Sequence, residues 1–517
     1  MKVSNFIFFT DDVTLSNASV TYLFQVVLMI LKQNESYMKV NAQIITLCLS
    51  LLTACNPMKE AEEEADCLPD IFPDYTSIVI PYNIAPLNFE VKKAQTVQAE
   101  FVVEKIKLIT VRGDNEIQIP LKKWRNLLAS AKGKELNIIV SVWNDTHPKG
   151  IRYRPFSIYV APDKIDSHIA YRLIEPGYEG WNVMGIYQRD LTSFEEKAIV
   201  TNQKDKSRCM NCHTFNNYSS DDVLFHVRGE NGGTALYTGG ILRKIEFEKL
   251  PPHKNVGFPA WHPGRRYIAF SSSKSGQVFF GAGEQVLEVF NTGGDLLLYD
   301  TQTGKMVTDK RFISKAAWMD FPVWSADGKF LYYCVADPRN LPREYRQVHY
   351  NLCRVGFNEA TGLFSEKIDT LYNAHAQGGS VAFFSASPDG RYLLYTKADY
   401  GIFPIWHKES DVEMIRLGDG QSVDVSVWNS DCAESYHTWS SNGRWVLISS
   451  RRLDGRYTRV FIAYMDEAGK PYKPFLLPQQ HPIDNILRIK SYNLPKFIRG
   501  EVKLPTDLVN TLFFPSK

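Results

Sequence analysis

An internal repeat in the second half of the chain limits its fold more than any other feature. Pro259-Ala260-Trp261-His262-Pro263-Gly264-Arg265-Arg266-Tyr267-Ile268-Ala269-Phe270 aligns with Pro322-Val323-Trp324-Ser325-Ala326-Asp327-Gly328-Lys329-Phe330-Leu331-Tyr332-Tyr333. A third copy runs from Ala386 to Tyr395 and a fourth from Trp439 to Ile448. Each joins a tight Asp-Gly or Asn-Gly turn to a strand of alternating aromatic and aliphatic residues. The first copy departs by placing Gly264 where the Asp sits, and the third lacks its Trp. Trp261, Trp324, Ala386 and Trp439 lie 63, 62 and 53 residues apart, long for a four-stranded unit, and loops such as 336–350 account for the excess. The expectation is a ring of five or six small sheets.

Composition agrees. The 517 residues include 26 Tyr, 30 Phe and 10 Trp beside 32 Gly and 26 Pro, which suits pleated strands and tight turns. A 44% hydrophobic content is ample for a packed core. A net charge of +2, from 59 basic and 57 acidic residues, argues against nucleic acid as the main partner. No stretch after Cys55 approaches the ~20 apolar residues that span a bilayer.

The four copies resemble the repeats of TolB-type β-propellers, over roughly residues 215–495, and that resemblance implies six blades. Ahead of them, runs such as 77–81, 87–91, 100–103, 106–110, 138–143, 156–160 and 169–174 read as short strands, with a helical spacing of Leu121, Trp124, Leu127 and Leu128 between. The expected fold is all-β: an N-terminal β-sandwich (immunoglobulin-like) module over 75–200, a CxxCH segment over 201–215, a TolB-like propeller over 216–500 and a tail over 501–517.

The N-terminus reads as an address. Residues 38–54 combine a positive charge, an apolar run from Ile44 to Leu52 and small residues, as in a secretory signal. Leu52-Thr53-Ala54-Cys55 resembles a bacterial lipobox, which implies lipidation of Cys55 and an outer-membrane lipoprotein on the periplasmic face or the cell surface. Residues 1–37 read as a mis-called extension upstream of a true start at Met38, and residues 55–74 as an acidic tether.

Cys209-Met210-Asn211-Cys212-His213 is the strongest chemical signal. Two thiols at this spacing can form thioethers with haem vinyl groups, with His213 as the proximal iron ligand. His226, His437 and Met184 are candidates for a sixth ligand. A disulfide between Cys209 and Cys212 or a metal site stands as the alternative, although no second Cys pair supports structural zinc. Cys334 and Cys353 lie on successive strand-like runs and are a further disulfide candidate. The Asp-Gly pairs read as turns rather than calcium sites. No Ser-centred elbow, phosphate-binding Gly loop or HExxH motif is present.

The run from Glu175 through the Cys-x-x-Cys-His segment to Gly229, together with Ala398-Asp399-Tyr400-Gly401, Ile405-Trp406-His407-Lys408 and Glu434 to Trp445, is similar to Bacteroidota TolB-like lipoproteins that carry this motif. The resemblance covers most of residues 75–495 and implies one covalent haem c. The leading expectation is a tethered cytochrome that passes electrons to or from an envelope protein partner. The rival is a binding module whose funnel holds a protein or glycan and whose Cys-x-x-Cys-His loop is a structural staple. An enzyme comes third, because fold alone does not license catalysis.

Overall fold

The Asp-Gly and Asn-Gly pairs of the second, third and fourth repeat copies fold as turns, and each of these turns is tied by a serine. Ser325 donates to Asp327 (2.7 Å), Ser387 to Asp389 (2.6 Å) and Ser440 to Asn442 (2.6 Å). The same hydroxyls accept the N–H groups of Phe330, Tyr392 and Trp445, which start the next strand. Gly328, Gly390 and Gly443 hold φ of 71°, 72° and 68°, a region glycine enters without steric cost. In the departing copy Arg265 takes the left-handed position (φ 69°), and His262 replaces the serine by accepting from Gly264 N–H.

In the computed structural model, which describes residues 60–175, 182–283, 285–307 and 309–515, these turns link the first two strands of successive blades. Ala61–Lys517 is one unit. Blade II is built from Cys209–Phe215, Val223–Arg228, Gly233–Thr238 and Ile241–Ile245, and blade III from Gly257–Trp261, Tyr267–Phe279, Leu287–Asp300 and Lys305–Val307. Blade IV takes Trp318–Trp324, Phe330–Ala336, Asn351–Asn358 and Leu363–Tyr372, and blade V takes Ser380–Ala386, Tyr392–Ala398, Asp411–Arg416 and Ser422–Val423. Blade VI holds Glu434–Trp439, Trp445–Ser450, Arg459–Tyr464 and Phe475–Leu476.

Blade I closes the ring. Its outer strands Glu196–Thr201, Gly185–Asp190 and His168–Ile174 come from before the repeats, and its innermost strand, Ser491–Ile498, comes from the C-terminus. The result is a six-bladed, all-β propeller. Indole N–H groups cross between blades: Trp324 donates to Ala260 C=O (3.0 Å) and Trp439 to Ser385 C=O (3.1 Å).

The front module is a seven-stranded sheet and a three-stranded sheet, with the helix Leu121–Ala131 burying Trp124, Leu127, Leu128 and Ala131. Its core runs on into blade VI through Trp445, Leu447 and Ile462. Among the described residues, no helix is long and apolar enough to cross a membrane.

Four expected boundaries move. Residues 168–201 belong to blade I, because the closing strand needs partners with the matching hydrogen-bond edge. The Cys-x-x-Cys-His segment is the innermost strand of blade II rather than a loop ahead of the propeller. Within the acidic stretch, Glu63–Glu64 pairs in parallel with Ile151–Arg152, while Glu63 meets His147 Nδ1 at 2.7 Å and Glu62 forms an ion pair with Lys149. The C-terminal stretch contains a helix, Thr506–Phe513, that buries Val509 and Phe513 against blade II. The signal, the lipobox at Cys55 and residues 1–37 lie outside the described residues.

Candidate functional site: the propeller axis

Every innermost strand carries one bulky residue in the left-handed region. These are Cys212 (φ 42°), Phe258 (46°), Phe321 (52°), Phe383 (53°), Tyr436 (39°) and Leu494 (51°). In all six strands the ladder slips at this point, as at a β-bulge. A non-glycine residue there costs on the order of 1 kcal/mol or more and persists only where packing over-determines it. Here the bulge re-aims the side chains toward the axis.

The packing that holds them is visible in the rings. Phe258, Phe321, Phe383 and Tyr436 form a continuous girdle, with successive centroids 4.3, 4.7 and 4.2 Å apart. Phe403 lies 5.7 Å from Phe321 and 6.0 Å from Phe258, backing that side. Cys212 and Leu494 occupy the girdle positions of blades II and I. Both are smaller than the aromatics, which leaves a cavity of about 90 Å³ lined by all six innermost strands.

The wall of this cavity has two halves. Blades III to V contribute Pro259, Pro322 and Phe384 next to the left-handed residue, whereas blades II, VI and I contribute His213, His437 and, beyond Pro495, Lys496. His213 and His437 are 3% and 4% exposed; the His437 ring nitrogens have no hydrogen-bond partner, and those of His213 have only the carbonyls of Ala170 and Leu494 near them, with no well-formed hydrogen bond. Burial depresses the His213 pKa to about 3, helped by the charges of Lys496 and Arg172 and opposed by the nearby carbonyls of Ala170 and Leu494. Burial and Lys496 likewise bring His437 to about 3. Both imidazoles are therefore neutral at any ordinary pH. Burial also lowers Lys496 to about 8.

The structure thus brings three of the expected residues, Cys212, His213 and His437, into one cavity and leaves Cys209, Met184 and His226 elsewhere. Met184 is buried, and its sulfur accepts the Met210 N–H at 3.3 Å, so it staples blade I to blade II. His226 sits on the second strand of blade II and bonds Thr234 Oγ1 at 2.7 Å. Burial depresses its pKa to about 3 as well.

Cys209 is partly exposed, and burial raises its pKa above the usual thiol value, with Arg172 and Arg228 opposing. Cys209, Cys212, Cys334 and Cys353 are all free thiols. Cys334 is paired with Leu352, and Cys353 with Tyr333, so the two sulfurs fall on opposite faces of blade IV. That register excludes the bridge considered between them. Among the described residues, no group of three or more His, Cys, Asp or Glu could hold a metal ion.

The residues at the motif do not fit a covalent haem as folded. The space beside His213 is about 90 Å³, while pockets for drug-sized ligands run to roughly 300–1,000 Å³. Cys212 is 2% exposed inside the ring, and Cys209, Met210 and Asn211 are laddered to Arg228, Val227 and His226. Seating a porphyrin there would require prising the innermost strand out of its sheet.

A larger cavity, about 670 Å³, opens between blades II and III beside the axis and shares Phe258 with it. Its lining includes Asn231, Asn255, Ser275, Arg228 and Lys274, together with Phe247, whose ring packs on Phe270 and Tyr299.

Lys496 was missed in the sequence, as was the equivalence of His437 and His213. A signal was present, because Cys212-His213-Thr214-Phe215 and Tyr436-His437-Thr438-Trp439 share one pattern. Aligning them would have exposed the haem-like motif as a further copy of the repeat.

No protein family and no curated protein matches the chain. Among solved structures, a puromycin hydrolase aligns at 12% identity and a TM-score of 0.34, over 60% of this chain and 45% of that one. An oligogalacturonate lyase in complex with manganese aligns at 12% identity and TM-score 0.35, over 59% of this chain and 78% of that one. The periplasmic gluconolactonase of Pseudomonas aeruginosa aligns at 13% identity and TM-score 0.32, over 64% of this chain and 99% of that one. The chain therefore spans less than half the length of the puromycin hydrolase it matches.

Proposed function

We propose that the chain is a binding module of the cell envelope, tethered through a lipid on Cys55, whose propeller takes a hydroxyl-rich ligand such as an oligosaccharide. The observation that carries this reading is the 670 Å³ cavity between blades II and III. Its volume falls in the range of small-molecule sites, and its donors and acceptors come from both side chains and glycine-rich hairpins. The amides, hydroxyls and cationic side chains along it suit the polar edge of a sugar. In this reading the Cys-x-x-Cys-His segment is structural, one of six bulged innermost strands.

The electron-transfer reading rests on the sequence motif, and one preparation separates the two. Residues 56–517 would be exported in cells competent for c-type haem attachment, then examined by visible spectroscopy, haem stain and an oligosaccharide array. A colourless, folded protein that binds glycans, and loses binding in Asn255→Ala and Lys274→Ala, is the expected result. A haem-stained band with a sharp reduced α-band would sink it, as would glycan binding unaffected by both substitutions.

A further inference from the structure

The axial cavity joins three polar side chains that the rest of the fold does not use. His213, His437 and Lys496 reach it from three neighbouring blades, II, VI and I. The two imidazoles are nearly fully buried, and neither makes a well-formed hydrogen bond within the chain. Each neutral ring presents one N–H donor whichever tautomer it adopts. Leaving such groups unsatisfied in a buried site is costly, so their persistence at the centre of a strained ring calls for a partner absent from the chain itself.

Charge decides which partner. Among the described residues no carboxylate pairs with Lys496, and the charges acting on His213 are the cations Lys496 and Arg172. A metal cation at the imidazoles would face an ammonium with no anion to offset it. An anion would gain an ammonium and imidazole N–H donors, and charge-assisted bonds of this kind are the strong ones. The volume, about 90 Å³, admits a group the size of acetate and excludes a sugar. Size follows from the girdle, since an aromatic in place of Cys212 would fill the space.

We propose that this axial cavity is a carboxylate-binding site formed by Lys496, His213 and His437. The carboxylate is either a free small acid or the acidic end of a longer ligand lying in the neighbouring cavity, because Phe258 separates the two spaces. The free-acid form is independent of the oligosaccharide reading, since a neutral sugar would leave the axial histidines untouched; the longer-ligand form rests on that reading.

Histidine ring ¹⁵N resonances of the folded protein, followed through titrations with sodium acetate and sodium glucuronate at constant ionic strength, test this directly. The rings of His213 and His437 should shift saturably while that of His262, buried outside both cavities, does not, and Lys496→Met should weaken the response roughly tenfold or more. A response to acetate alone identifies a free small acid; tighter binding of glucuronate identifies the end of a longer ligand. Unmoved axial rings with both salts, an undiminished response in a folded Lys496→Met protein, or a response to zinc(II) but to neither acid would overturn the proposal. The wild-type titration stands even where the variant fails to fold.

Discussion

His213 and His437 occupy the same position on two innermost strands, each directly following a residue in the left-handed region, and both face one cavity on the axis. Only the strand of blade I separates theirs, and it carries Lys496 into the same space. The chemistry legible in the sequence as a haem motif is thus one sector of a sixfold arrangement.

Three buried histidines, His213, His226 and His437, make the fold sensitive to acid. Each has a folded pKa near 3 against an ordinary value of 6.5. Above 6.5 both states are neutral and nothing is lost. Between 6.5 and 3 the unfolded chain takes up protons that the folded chain refuses, so stability falls as pH falls. The limiting slope is about 1.4 kcal/mol per pH unit for each histidine, or about 4 for the three. Urea melts from pH 7.5 to 5 should show this; a flat profile would mean the imidazoles find protonated-state partners.

Lys496 should destabilise the protein that carries it. Its folded pKa of about 8 lies below the ordinary 10.5. Stability should therefore rise as pH climbs from 8 toward 10.5, where the folded chain sheds the proton first. At pH 7 Lys496→Met is expected to stabilise by about 1–3 kcal/mol, read as a higher melting temperature. A destabilised variant would show that the ammonium has a compensating partner.

Two glycines in equivalent turns should respond differently to alanine. Gly390 has φ 72° and open space where a Cβ would point, so Gly390→Ala should cost only the left-handed strain, about 1–2 kcal/mol. At Gly328, with φ 71°, the added carbon would lie 2.3 Å from His262 Nε2, which bonds the Gly328 carbonyl at 3.1 Å. Gly328→Ala should lose clearly more, and chemical denaturation of the pair would reveal equal losses if the His262 contact carried no weight.

Thiol reactivity should follow burial. Cys67 is exposed, whereas Cys212, Cys334 and Cys353 are buried. Burial also pushes the Cys334 and Cys353 thiols above their usual pKa. Brief iodoacetamide treatment of native protein should label Cys67 first and leave those three intact until denaturant is added. Peptide mass spectrometry checks this, and early labelling of Cys212 would mean that the innermost strand of blade II opens.

Local signals determined a good deal by themselves. The Ser-x-Asp-Gly and Ser-x-Asn-Gly turns of blades IV to VI and the Leu121–Ala131 helix are set by short-range chemistry: a hydroxyl within reach of the next strand, a glycine free to take positive φ, and an apolar stripe at helical spacing. Stacked copies of such a hairpin imply a propeller. The sequence was mute where partners are distant. That 168–201 closes the ring with 491–498 depends on two ends more than 300 residues apart finding complementary edges, and no window of sequence registers that. The meaning of Cys209-Met210-Asn211-Cys212-His213 likewise turned on tertiary structure. Its residues are adjacent in sequence, but what they face is not: laddered beside His226 and Arg228 and bulged at Cys212, they meet His437 and Lys496, which arrive from blades VI and I. Side-chain chemistry is local, but what it faces is decided by how six sheets pack around an axis.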